Sequence, residues 1–148
     1  MKTEAEDSSL AGGYRKALRC EVMGYVNDLP NSIFKAEKSA SNVIKSRRIT
    51  MEIPKFADYL PCEHTNSIFV RVNEAHNNSM NILISGSSGT PYAHGLYHFE
   101  MFCDDGFPIS PPKMQLSTGN GKVRFNPNLY MNGYICLSLL GTWPGNQN

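Results

Sequence analysis

Cys136 sits in the apolar run YICLSLL, just after the turn-forming pair Asn132-Gly133 and eight positions after Asn128. Two readings of this cysteine stand on the residues alone. It is a thiol nucleophile, or it is a small apolar group packed in a core between Ile135 and Leu137. The last 24 residues, from Phe125 onward, carry no charged side chain and are rich in asparagine and glutamine. An uncharged, amide-rich loop leading into a cysteine suits a site that needs hydrogen-bond donors without fixed charge. An ordinary thiol with a pKa of about 8.5 is ionised to only a few per cent at neutral pH. No His, Lys or Arg lies within eleven residues of Cys136 on either side to assist it.

The remaining thiols and imidazoles offer less. Cys20, Cys62, Cys103 and Cys136 are 42, 41 and 33 positions apart, so none forms a zinc knuckle or a redox pair with another. His94 and His98 are four apart on or beside one expected strand, which puts them on the same face. Without a third clustered ligand they make a poor metal site, and a protease-like pairing of Cys136 with His94 has no support beyond the residue types. No metal and no cofactor is expected.

Composition narrows the classes further. Fourteen Lys and Arg against thirteen Asp and Glu give a net charge of +1, too little to hold nucleic acid or an anionic membrane. No stretch reaches the roughly 18 to 20 apolar residues of a spanning helix, and the N-terminus opens on charge. The expectation is a cytosolic or nuclear protein with unpaired thiols.

The elements that must position Cys136 are readable from periodicity. Residues 1–60 hold eighteen charged side chains and residues 61–148 only nine, so the folded unit is expected mainly in the second part. Residues 1–30 lack a sustained apolar period and read as a leader or linker. From Ile33, Ala36, Ala40, Val43 and Ile44 fall at helical spacing, followed by Ile49, Ile53, Phe56 and Leu60. One or two helices follow, with a kink or restart near residue 53 because Pro54 lacks the amide that would bond residue 50. After Pro61 come four short apolar runs, SIFVRV (67–72), MNILISG (80–86), LYHFEMF (96–102) and KMQLS (113–117), separated by turn signals. A helix followed by an antiparallel meander is an α+β plan.

The stretch from Pro91 to Trp143 resembles the core of the ubiquitin-conjugating enzymes, which carry ubiquitin as a thioester. PYAHGLYHFEMF looks like the family's Pro-Tyr, glycine and aromatic strand, and FPISPPK like its proline-rich loop. Asn126-Pro127-Asn128 stands where the family has His-Pro-Asn, Asn128 to Cys136 matches the family's separation of asparagine and cysteine, and Trp143 with Pro144 resembles its Trp-x-Pro loop. The runs RFNPNLY and ICLSLLGTW look most like the large atypical members, including the one that joins baculoviral repeats to a conjugating domain. The implied fold is an N-terminal helix, a four-stranded antiparallel meander and an active-site loop. The family core continues past the cysteine through an acid and closing helices. Residues 31–148 are therefore expected to be an incomplete core, with the C-terminal helices absent.

The resemblance implies an acyl carrier. Cys136 accepts ubiquitin from the activating enzyme as a thioester and yields it to a substrate amine. Asn128 would donate to the oxyanion of the attacked carbonyl, or only brace its loop. Asn126, Pro127, Tyr130 and Ser138 would support the loop; Ser138 stands where many members have an acid. Ile109, Trp143 and Pro144 correspond to docking positions for ligases and the activating enzyme, or else pack two loops together. The implied partners are ubiquitin, its activating enzyme, and a ligase or substrate protein. The rival is a non-catalytic, truncated ubiquitin-pathway binding module.

Overall fold

In the computed structural model, residues 4–35, 37, 42–119 and 121–143 are described. The largest element joins one helix to a four-stranded meander. Helix α2 spans Val43–Tyr59 and starts at Asn42, whose Oδ1 accepts the amides of Ile44 at 2.9 Å and Lys45 at 3.2 Å. This satisfies two of the donors that a helix start leaves open. The helix ends where Leu60 turns extended before Pro61, the conformation favoured for a residue preceding proline. Strands β3 (Asn66–Asn73), β4 (Ser79–Ser85), β5 (Leu96–Phe102) and β6 (Lys113–Leu116) then run antiparallel in sequence order.

Alternation along these strands decides which face is covered. Val70, Val72, Met80 and Ile82 share one face, as the pairs Val70 with Ile82 and Val72 with Met80 require. Ile49 and Ile53, four apart on α2, close over that face and form one buried cluster with these residues and Cys103. Each fully buried aliphatic side chain stabilises by roughly 1.5 to 3 kcal/mol. Burial among these groups pushes the Cys103 thiol up from 9.0 to about 11, because the thiolate loses its hydration there; nearby Lys45 opposes the shift.

Three features differ from the expectations. Pro54 lies inside one continuous helix, so α2 does not restart near residue 53; both Pro54 and Thr50 are exposed, where water can reach the carbonyl that lost its partner. The helix also begins at Val43 and not near Ile33. Residues 29–35 instead make a strap across the other sheet face, with the Ile33 amide on Glu100 Oε2 at 2.8 Å and the Phe34 ring stacked on Phe102 at 5.6 Å. Ala36 and Ala40 lie outside the described residues.

The third feature falls within residues 1–30, the stretch read as leader or linker. It contains helix α1 (Glu4–Leu18) and strand β1 (Met23–Val26), which pairs in parallel with β3. Val22 is fully buried, and its carbonyl accepts the Val70 amide at 2.7 Å. A short strand β2 (Cys62–Glu63) folds back on the start of β3, making a mixed sheet ordered β1-β3-β4-β5-β6. The fold is α+β, with two α-helices among the described residues. None of these helices is long and apolar enough to cross a membrane.

Candidate active site

Beyond β6 the chain folds back as a loop that docks on the edge of that strand. The Leu116 amide donates to Gly133 O at 2.9 Å, and Gln115 Nε2 donates to Asn132 O at 3.0 Å. Only glycine fits at 133. Its φ of +84° is left-handed, and a Cβ there would stand 2.5 Å from Leu116 O. The Asn132-Gly133 turn thus sets the loop against the sheet. From it, two arms run back side by side, paired through Leu129 and Ile135.

The first arm is organised by Asn126. Its Oδ1 accepts the amides of Asn128 at 2.8 Å and Leu129 at 2.9 Å, and its Nδ2 donates to the Tyr92 hydroxyl at 3.0 Å. Bracing of this turn therefore falls to the Asn126 side chain. Asn128 contributes its backbone: its carbonyl accepts the Cys136 amide at 2.9 Å, which makes the two residues cross-arm neighbours. The Asn128 side chain is exposed and has no hydrogen-bond partner among the described residues. Arg124 donates to the carbonyls of Asn126 and Pro127, at 3.3 and 2.9 Å, and lies 4.8 Å over the Tyr130 ring. The guanidinium therefore stiffens the arm from outside.

The second arm carries Cys136, whose residue is 6% exposed. Its thiol donates to the Thr142 carbonyl at 3.4 Å. Ser138 is exposed and opens a single 3-10 turn, Ser138–Leu140, that Gly141 closes with φ +65°. The turn returns the chain so that Thr142 lies beside Cys136. No hydrogen bond links a charged group to Cys136 among the described residues.

The other sequence candidates divide. Trp143 is half exposed and Ile109 is 97% exposed, so Ile109 does not pack the two loops together. The loops instead flank a cleft of about 350 Å³ lined by Phe34, Pro111, Pro112, Tyr134, Leu140 and Thr142. Pro144 lies outside the described residues. His94 sits in a left-handed turn before β5, at φ +65°, while His98 lies on β5 with Nδ1 at 2.8 Å from Ser117 Oγ. Neither is hydrogen-bonded to Cys136. No cluster of three or more His, Cys, Asp or Glu forms among the described residues. Tyr92, Arg124 and Thr142 were not singled out by residue type. Tyr92 at least carried a signal, within the Pro-Tyr pair of PYAHG; a threonine and an arginine in a loop carry none.

The ubiquitin-conjugating enzyme family model matches residues 48–147. Probable ubiquitin-conjugating enzyme protein 17 of Caenorhabditis elegans is 50% identical over 102 residues, covering 68% of this chain and 14% of that protein. The human dual ubiquitin-conjugating enzyme and ubiquitin-protein ligase BIRC6 is 40% identical over 112 residues, covering 75% of this chain and 2% of that protein. The chain thus spans a small part of the length of these relatives. Among solved structures, the crystal structure of a Plasmodium falciparum ubiquitin-conjugating enzyme matches with a TM-score of 0.55 at 26% identity, covering 64% of this chain and 78% of that one. Sheet, loop and sequence lead to one conclusion: the chain belongs to the ubiquitin-conjugating enzyme family.

Proposed function

We propose that Cys136 accepts ubiquitin as a thioester from the activating enzyme and passes it to a substrate amine. The Cys136 thiolate attacks the carbonyl carbon of the incoming thioester, the carbonyl oxygen takes negative charge, and collapse expels the activating enzyme's thiolate. In the second transfer a substrate amine attacks the Cys136 thioester and the Cys136 thiolate leaves; the amine's proton passes to solvent or to a base on a partner, since Ser138 supplies no carboxylate. The observation that carries this reading is the 2.9 Å bond from the Cys136 amide to the Asn128 carbonyl, which makes the cysteine a cross-arm neighbour of a residue whose amide side chain is otherwise unengaged among the described residues. Such a side chain can turn to an oxyanion without first breaking a bond. Ubiquitin, its activating enzyme and a ligase or substrate protein are the partners of this reading. Exposed Ile109 and Trp143 supply apolar surface at two loop tips for transient docking, and Pro144 follows them in sequence.

The burial of the Cys136 thiol favours a second reading, a binding module of the ubiquitin pathway that does not turn over. A charging reaction separates the two. The full chain is incubated with activating enzyme, ATP and ubiquitin and run on a non-reducing gel beside Cys136→Ala, with circular dichroism on both. A thiol-sensitive adduct that Cys136→Ala lacks is expected. A folded chain that forms no adduct would support the binding module.

A further inference from the structure

Thr142 bonds to the backbone before and after Cys136 and, through its carbonyl, to the thiol itself. Its hydroxyl is 2.6 Å from the Ile135 carbonyl, accepts the Leu137 amide at 2.9 Å, and lies 3.1 Å from the Leu137 carbonyl. A hydroxyl has one proton, so the shorter contact assigns it to Ile135 O and leaves the lone pairs for Leu137 N. The peptide groups before and after Cys136 are therefore tied to one side-chain oxygen. The Thr142 amide adds a bond to Leu137 O at 3.2 Å. On the opposite side, Asn128 O holds the Cys136 amide. Cys136 is thus gripped from two segments that approach from opposite sides of the loop.

The Thr142 carbonyl has a separate part. It accepts both the Cys136 thiol, at 3.4 Å, and the Tyr134 hydroxyl, at 3.0 Å. When the thiol loses its proton and becomes a thioester, the carbonyl keeps Tyr134 and is not left without a donor. Releasing the thiol for reaction therefore creates no unsatisfied carbonyl.

We infer that Thr142 is a positioning residue: its hydroxyl fixes the backbone on both sides of Cys136 and with it the direction of Sγ, while its carbonyl shelters the resting thiol and releases it on acylation. This inference rests on the acyl-carrier reading, and it goes beyond that reading by naming the group that aims the nucleophile.

Two variants of the full chain test it. Thr142→Val keeps the shape and loses the hydroxyl; Thr142→Ser restores the hydroxyl. Charging kinetics and iodoacetamide labelling of each cysteine, followed by mass spectrometry of its peptide, are read on both. With valine, kcat for charging is expected to fall roughly tenfold while KM for the loaded activating enzyme holds, because aim is lost and encounter is not. Labelling of Cys136 is expected to rise several-fold, as its shelter loosens, while Cys62 and Cys103 stay unlabelled. Serine is expected to restore both. Opposite movement of the two rates, with rescue by serine, is what a general packing role does not produce. Valine matching the wild type in both assays would overturn the inference, as would serine failing to rescue, or Cys62 and Cys103 opening together with Cys136. If the wild type does not charge at all, the proposed function fails, and the labelling rates alone then decide the part assigned to Thr142.

Discussion

Cys103 and Cys136 are removed from solvent to nearly the same extent, at 2% and 6% exposure, but by different surroundings. Cys103 lies in the core with Ile49, Ile53, Val70 and Met80, where desolvation holds its thiol protonated up to about pH 11. Cys136 lies in a loop held by hydrogen bonds, with Asn128 O on its amide, Thr142 on the flanking peptides and a carbonyl on its thiol. An apolar wall cannot be rearranged without losing packing. A hydrogen-bonded cradle can exchange one partner for another at small net cost, since a typical bond contributes only about 1 kcal/mol. Burial alone therefore does not separate a structural thiol from the nucleophile proposed at Cys136; the kind of burial does.

That contrast can be broken at several points. The largest effect is expected at Asn128. Asn128→Ala should slow charging by about 10²- to 10³-fold, by analogy with other oxyanion donors, while the urea midpoint stays put because the side chain braces nothing among the described residues. A drop in stability matching the loss of rate would return Asn128 to a structural part. Next comes Ile53→Ala, on the core side. It should destabilise by about 2 to 5 kcal/mol, visible as a lower urea midpoint, and charging by the fraction that remains folded should be unchanged.

The smallest effect concerns pH. The unfolded Cys103 thiol ionises near 9.0 and the folded one near 11, so its contribution is fully present below about pH 9 and is lost as pH rises towards 11. Urea unfolding at pH 8 and pH 10.5 should show a steeper alkaline loss for the wild type than for Cys103→Ala. Equal slopes would remove the distinction drawn for this thiol.

The four meander strands were legible in the sequence because each is a short apolar run bounded by turn signals, and the observed ends agree within two residues. The lower half of α2 was legible through the helical spacing of Ile49, Ile53 and Phe56. Its start was not, since Ile33 opens a helical period in the sequence but serves, with Phe34, the strap over Glu100 and Phe102. Strand β1 has only four residues, and MGYV announces no pairing; its partner β3 is more than forty positions away. In the site, the spacing of Asn128 and Cys136 was visible, because motif spacing is a sequence property. Thr142 was not, because its part depends on the Gly141 turn bringing it back over Leu137, which only the folded chain displays.

The most direct measurement is to locate the ubiquitin. The charged chain is trapped at low pH without reductant, and its peptides are mapped by mass spectrometry across all four cysteines. The thioester is expected on Cys136 in the wild type, unchanged in Cys103→Ala and absent in Cys136→Ala. Ubiquitin on Cys20, or an adduct that survives Cys136→Ala, would contradict the assignment of Cys136 as the acyl carrier.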